Sequence, residues 1–278
     1  MIDQPIPATA RPSYSVVIAV RNGAKTLQRA LDSVFAQTYH HIEIIVIDGA
    51  STDGTRAILE RNTARIAYWE SEPDRGIYHA WNKALDHISG EWICFLGADD
   101  RYHTADALER VASALTADGT RHRVAYGSVH VVREDGSVDR DAGLPWDGDL
   151  FRRGSMIPHQ ATFHHRTLFD RHGRFDERFR ISGDYEFLLR ELLDHDPLFI
   201  ATFVVDMAAG GLSDRPSSKY SRMREIYMAR YMHRLVATPP WRSWRLNRQL
   251  AELWIHRNVR PRVKRLRGVF RRRVLRRR

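Results

Sequence analysis

Four apolar runs of strand length, each stopped by a break, decide what this chain can become. Tyr14-Ser15-Val16-Val17-Ile18-Ala19-Val20 stops at Arg21-Asn22-Gly23, and Ile42-Glu43-Ile44-Ile45-Val46-Ile47 stops at Asp48-Gly49. A shorter run over 65–70 stops at Ser71-Glu72-Pro73-Asp74-Arg75-Gly76, and Trp92-Ile93-Cys94-Phe95-Leu96 at Gly97-Ala98-Asp99-Asp100. Between the runs, apolar residues recur at helical spacing: Leu27, Ala30, Leu31, Val34 and Phe35, then Ala57, Ile58 and Leu59, then Ile77, Ala80, Trp81, Ala84, Leu85 and Ile88. Thr52 or Asp53 can cap the second of these helices. Alternating strand and helix predicts an α/β fold with a mostly parallel central sheet flanked by helices. Open sheets of this kind bind ligands at the carboxyl ends of their strands. That edge collects Val20-Arg21-Asn22, Asp48, Asp74-Arg75-Gly76 and Asp99-Asp100. Two adjacent acids at a buried strand end repel each other unless a cation or a set of donors stands between them. They therefore suit a divalent metal or a phosphosugar. The competing role is an N-cap for the next helix, which Thr104 can fill instead. The first strand lacks a following Gly-x-Gly-x-x-Gly, and no Gly-x-x-x-x-Gly-Lys-[Ser/Thr] is present, which argues against a dinucleotide fold and a P-loop.

The second half is less regular. A helix is predicted over 108–115, strand over 123–127 and 129–133, and a hairpin turn at Asp135-Gly136. Residues 141–158 read as a loop-rich crossing, and 159–165 as a strand on which the adjacent His164 and His165 face opposite ways and make a poor metal pair. A helix is predicted from Gly183 or Asp184 to Leu193, a last strand over 198–206, and a helix over 220–235.

In this order and spacing, Val16–Asn22, Glu43–Thr55, Ser71–Tyr78, Leu96–Asp100, His159-Gln160 and Ser182-Gly183-Asp184-Tyr185-Glu186 resemble glycosyltransferase family 2, the inverting family with the GT-A fold, and most closely its bacterial surface-polysaccharide members. The resemblance covers about 14–213, with 14–100 as the nucleotide-binding half and 101–213 as the acceptor-binding half. It leaves 1–13 as an extension and 214–278 as C-terminal helices with a basic amphipathic tail. It implies a nucleotide-diphosphosugar donor, with a UDP-sugar favoured, Mn²⁺ or Mg²⁺, and no covalent intermediate. By the same matching, Ala19, Val20 and Arg21 line the base pocket and Asp48 bonds the base or ribose. Asp74, Arg75 and Gly76 lie near the nucleotide, Asp99 faces ribose or sugar, Asp100 the metal, and Asp184 is the catalytic base. His159 and Tyr78 are weaker candidates for acceptor or diphosphate contacts, and Glu186 reads as surface or support. The chain departs from the family in Ala98-Asp99-Asp100, where the pattern is Asp-x-Asp, and in Gly49, where many relatives carry a second Asp. An inverting transfer is chemically coherent with these groups. A cation neutralises the departing diphosphate, while a carboxylate takes the acceptor's proton on the opposite face of the sugar.

Composition bounds the rest. With 278 residues and 43% hydrophobic content, the chain can bury one large domain or one domain with an appendage. Its single cysteine, Cys94, sits in an apolar run, reads as core, and excludes a disulfide framework. The first twelve residues do not read as a secretory signal, and no apolar run reaches the roughly 18 residues of a membrane span. The net charge of +10 is unevenly placed: 241–278 hold 15 Lys+Arg and one acid, Glu252, while 1–240 hold 29 Lys+Arg and 33 Asp+Glu. In the tail Trp241, Trp244, Leu246, Leu250, Leu253 and Trp254 recur at helical spacing among arginines, the pattern of a helix lying on an anionic membrane. The alternative is that 241–257 pack on the body. The expected setting is cytoplasmic and peripheral on the inner face of the membrane, with a lipid-linked or oligosaccharide acceptor. Two other functions stay open at this point. One is a nucleotidyltransferase of similar topology. The other is a nucleic-acid-binding protein acting through its arginine tail, against which the mildly acidic body argues, so no nucleic acid is expected.

Overall fold

The computed structural model describes residues 11–119, 121–211, 218–243 and 247–248. The extension before residue 11 and almost all of the expected tail helix lie outside the described residues. The strands are β1 (Tyr14–Val20), β2 (Ile42–Asp48), β3 (Tyr68–Ser71), β4 (Trp92–Gly97), β5 (Arg101–Tyr102), β6 (Val124–Val132), β7 (Val138–Ala142), β8 (Thr162–His165) and β9 (Leu198–Ala208). The helices are α1 (Leu27–Phe35), α2 (Thr55–Asn62), α3 (Ile77–Ala84), α4 (Ala107–Asp118), α5 (Gly148–Arg152), α6 (Thr167–His172), α7 (Gly183–Leu192) and α8 (Lys219–Met232).

The nine strands of the described residues form one sheet, ordered β3-β2-β1-β4-β8-β6-β9-β5, with β7 added on β6. The first four are mutually parallel, with Val17 opposite Ile45 on one side and Phe95 on the other. From β4 onward the sheet becomes mixed: β8 is antiparallel to β4 and to β6, while β9 runs parallel to β6. One sheet thus runs through both halves of the expected domain.

The period-two alternation of side chains explains the layering. Val16, Ile18 and Val20 of β1 face the layer containing Leu27, Leu31, Leu108 and Val111 from α1 and α4. Val17 faces the opposite layer with Ile45, Trp81, Ile93, Phe95, Tyr185 and Leu188, supplied largely by α3 and α7. A strand covered on both faces has no polar side, which is why β1 and β4 read as unbroken apolar runs. Cys94 is buried in this core and unbridged.

Several local expectations are corrected. Neither Thr52 nor Asp53 is the cap of α2; Gly54 holds that place at φ 99°, a left-handed conformation suited to glycine. The third strand starts at Tyr68 because Thr63–Arg65 close a 3-10 turn first. Thr104 does not cap α4: its hydroxyl donates to Asp106 Oδ1 at 2.6 Å, and Asp106 precedes the helix. The predicted strand over 159–165 begins only at Thr162. Before it, Pro158 O accepts the Ala161 N–H at 3.1 Å and the Thr162 hydroxyl at 2.8 Å, folding His159–Ala161 into a turn. Within the loop-rich crossing, Asp147 accepts the Leu150 N–H at 2.9 Å and starts α5. The short α6 and β5 were not predicted.

Candidate active site

A cavity of about 870 Å³ opens at the carboxyl ends of β1 and β4. Its floor comes from Ala19, Val20 and Arg21 at the end of β1 and from Ala98, Asp99 and Asp100 after β4. Its far wall comes from Pro158, His159 and Gln160, from Arg180, Ile181 and Asp184, and from Arg222 of α8.

The floor is built from two interlocked loops. Asp48 accepts from the Ser51 hydroxyl and from the Ser51 N–H at 3.1 Å, and its second oxygen also accepts the Ser71 hydroxyl at 2.6 Å. The Ser51 hydroxyl in turn accepts the Asn22 N–H at 2.6 Å, while Asn22 Oδ1 accepts the Thr52 N–H at 2.9 Å. Asp53 and Thr55 take the Ala24 and Gly23 N–H groups at 3.0 and 2.9 Å. Asn22 and Ala50 sit at φ 54° and 55°, an uncommon region for residues with a side chain, held by this lattice. Asp48 is therefore fully buried with both oxygens engaged. Through Ser51 it ties the β1–α1 and β2–α2 loops together.

Asp74, Arg75 and Gly76 fall outside the cavity lining. Asp74 accepts the Gly76 N–H at 2.8 Å, and its other oxygen lies over Gly49, where any Cβ would collide with it. Arg75 is ion-paired with Glu177 at 2.6 Å. The carboxylate of Asp74 thus fills the space vacated by the missing side chain at 49, beside the Arg21 stem.

The acid pair closes the floor. Asp100 is 3% exposed, and its Oδ1 accepts the Ala208 N–H at 2.8 Å from the end of β9. Asp99 is exposed, and its carbonyl accepts Arg29 Nη2 from α1 at 2.9 Å. A Cβ at Gly97 would lie 3.0 Å from Asp99 Oδ1 and closer still to Asp100 Oδ2, so both carboxylates fold back over the same bare backbone. Burial, reinforced by the Asp99 charge, pushes Asp100 up to about 7. Two converging oxygen donors, one desolvated and strained by its like-charged neighbour, fit a hard divalent cation. No group of three or more ligating side chains occurs among the described residues. The protein would thus supply Asp99 and Asp100, and the remaining ligands would come from substrate phosphate and water.

Asp184 lines the same cavity from the second residue of α7. Its Oδ1 accepts the Tyr78 hydroxyl at 3.2 Å and the Tyr185 N–H at 2.9 Å. The Tyr78 hydroxyl accepts the Gly183 N–H at 2.7 Å. Burial pushes Asp184 up to about 6, against the lowering pull of those donors. Tyr78, expected as a possible sugar contact, lines the cavity and donates its hydroxyl to Asp184. His159 is 5% exposed, stacks on Trp81 at 4.7 Å, and is kept neutral chiefly by burial. Its Nε2 is buried with no hydrogen-bond partner among the described residues. Glu186 is not surface: it is 2% exposed and pairs with Arg190 and, at 3.0 Å, with His233. His164 and His165 bond separately, to Ile93 O and to the Thr167 hydroxyl, as their opposite facing implied.

Sequence reasoning passed over Arg180, Arg222 and Trp81 as cavity residues. Arg180 follows an amphipathic stretch without periodicity, and Arg222 lies beyond the motif segments, so neither carried a local signal. Trp81 sits on the apolar face of α3 and was read as core, which it also is.

Residues 15–179 match the model of Glycosyl transferase family 2. An uncharacterized glycosyltransferase of Mycobacterium tuberculosis is 34% identical over 224 residues, covering 78% of this chain and 84% of that protein. A PGL/p-HBAD biosynthesis glycosyltransferase of Mycobacterium bovis is 34% identical over 190 residues, covering 65% and 70%. Among solved structures, the mannosyltransferase PcManGT of Pyrobaculum calidifontis, in complex with GDP-Man and Mn²⁺, superposes with a TM-score of 0.61 at 22% identity, over 92% of this chain and 72% of that one. S. aureus TarS 1-349 in complex with UDP-GlcNAc gives 0.60 at 18% identity, over 78% of this chain and 66% of that one. The fold is thus that of the GT-A glycosyltransferases. With the family model spanning more than half of its length, the chain belongs to glycosyl transferase family 2.

Proposed function

We propose that this glycosyltransferase moves a sugar, with inversion, from a nucleotide-diphosphosugar to a hydroxyl of a glycan or glycolipid acceptor. The observation that carries the reading is that Asp184 and the Asp99–Asp100 pair, from separate segments of the chain, line one cavity. The nucleotide would lie along Ala19, Val20 and Arg21, with its diphosphate over Asp99 and Asp100. A divalent cation, Mn²⁺ or Mg²⁺, would neutralise the charge that develops on the departing nucleoside diphosphate. Asp184, ionised at neutral pH, would accept the proton of the attacking hydroxyl as the new glycosidic bond forms and the bond to diphosphate breaks. The unpartnered Nε2 of neutral His159 offers a hydrogen bond to the acceptor or the sugar. A UDP-sugar is favoured, a choice supported by the UDP-GlcNAc complex of TarS, while the PcManGT complex holds GDP-Man.

The test is a panel of UDP- and GDP-sugars incubated with Mn²⁺ or Mg²⁺ and glycan or glycolipid acceptors, with product stereochemistry read by NMR. A glycoside of inverted anomeric configuration is expected. A retained configuration, or a sugar phosphate in its place, would refute the reading.

We also propose that the basic segment after Pro240 holds the enzyme at an anionic membrane carrying a lipid-linked acceptor. No helix among the described residues is long and apolar enough to cross a membrane. Its arginines would each contribute about 1 kcal/mol near such a surface. Truncation after Thr238 is expected to abolish flotation with vesicles containing phosphatidylserine while leaving transfer to a soluble acceptor largely intact. Equal flotation of the full and truncated chains would remove the membrane role.

A further inference from the structure

The base-bearing segment is held from a part of the chain that the family model does not reach. Residues 180–182 lead directly into α7, and Ser182 caps that helix without a side-chain bond. Their three consecutive N–H groups all point at one carboxylate. Glu225 of α8 accepts the Arg180 N–H at 3.1 Å on Oε1, and the Ile181 and Ser182 N–H groups, each at 2.8 Å, on Oε2. The next N–H, of Gly183, goes to the Tyr78 hydroxyl. Farther along, Glu186 is bonded to His233, immediately beyond the end of α8. Helix α8 therefore grips the Asp184 segment on both sides of the base.

Three charge-assisted hydrogen bonds converging on one side chain are more than local turn geometry requires, and each is stronger than a neutral bond. Without Glu225, three consecutive backbone donors beside the cavity would have to find water. The loop-to-helix entry that fixes the Asp184 Cα would then be free to shift. A displacement of about 1 Å at a reacting group costs on the order of a hundredfold in rate.

On the reading of Asp184 as the base, we infer that Glu225 is a positioning residue for transfer: its carboxylate orders residues 180–182 and thereby sets Asp184, Arg180 and Ile181 against the acceptor. It lies outside the cavity lining. Its charge also acts through space. The groups facing Asp184 are Tyr78 from α3 and Glu225 from α8, while Arg180, Arg222 and His159 share the cavity wall. Burial is the main cause of the raised Asp184 value, and the negative charge of Glu225 adds to it.

The test compares wild type, Glu225→Gln and Glu225→Ala by steady-state kinetics across pH, nucleotide binding, and amide hydrogen exchange. The glutamine side chain can keep the bonds to residues 181 and 182 but has no acceptor for the Arg180 N–H. For Glu225→Ala, kcat is expected to fall about a hundredfold with the nucleotide Kd unchanged, and for Glu225→Gln about tenfold. In both variants the acid limb of the pH profile should move to lower pH, which loss of packing alone would not produce. Exchange at residues 180–182 should accelerate at least about tenfold in Glu225→Ala while the β1 and β4 amides stay protected. Wild-type exchange at 180–182, or a wild-type kcat despite faster exchange, would overturn the proposal. If Glu225→Ala does not fold, Glu225→Gln decides, with an unchanged pH limb and unchanged exchange counting against the role. A wild type that transfers no sugar to any acceptor would remove the functional reading, whereas the exchange arm tests the anchoring by itself.

Discussion

Asp184→Asn is expected to lower kcat by about two to four orders of magnitude, the usual contribution of a positioned general base, while leaving nucleotide affinity unchanged. The same substitution should make the protein more stable at neutral pH. Burial raises Asp184 from the usual carboxylate range to about 6, so the folded chain binds this proton more tightly than the unfolded chain does. The stabilising influence of the proton is fully present below the unfolded value near 4 and is lost as pH rises through about 6. At pH 7 the ionised carboxylate therefore costs up to about 3 kcal/mol, which the neutral amide does not. Thermal melts at pH 7 should show a higher Tm for Asp184→Asn, and the difference should shrink as pH falls below 6. In wild type, turnover should drop on acidification through that same value as the base is protonated. An active Asp184→Asn would sink the assignment of the base, and a lower Tm at pH 7 would sink the account of its burial.

Asp100→Ala is expected to abolish measurable transfer and, with it, the cation's effect on stability. A ligand that binds only the folded state stabilises it by RT ln(1 + [L]/Kd), about 2.7 kcal/mol at a hundredfold excess over Kd. Wild type should therefore melt several degrees higher with Mn²⁺ and a nucleoside diphosphate together than with the nucleotide and a chelator. Asp100→Ala should show no such difference. Gly97→Ala should behave in the same way, because its methyl group would occupy the space into which Asp99 and Asp100 fold. A cation-dependent shift that survives in both variants would place the metal elsewhere.

The parallel half of the sheet was legible because each of its strands carries its own stop. Val20, Asp48 and Gly97 end their runs within a residue of the structural boundaries, since buried parallel strands are apolar on both faces and the polar residues begin where the strands end. The motif at 182–186 singled out Asp184, and the structure puts it in the cavity lining. Its partner Tyr78 is 106 positions away, and only the packing of α3 against α7 brings them together. The bonds of Asp48 were not legible for a related reason. A carboxylate at a strand end signals either a ligand or a turn to be tied, and its ties run to Ser51 and Ser71, whose hydroxyls the sequence cannot aim. Glu186 read as peripheral because helical spacing turned it away from Asp184, and the helix that covers its face, α8, lies some forty residues on. The second half was harder because β6 and β9 pair across more than sixty residues, and the turn at Pro158 depends on carbonyl geometry with little sequence signature.

The lattice joining Asn22, Asp48, Ser51, Asp53 and Thr55 has a consequence for how such an enzyme diversifies. A seat whose shape is fixed by bonds among its own residues does not lean on the opposite wall of the cleft. On the proposed placement of the nucleotide along Ala19–Arg21, substitutions around Ile157 or Arg222 would alter which acceptors enter without loosening that seat. New linkages would then be reachable by drift on one side of the crevice alone.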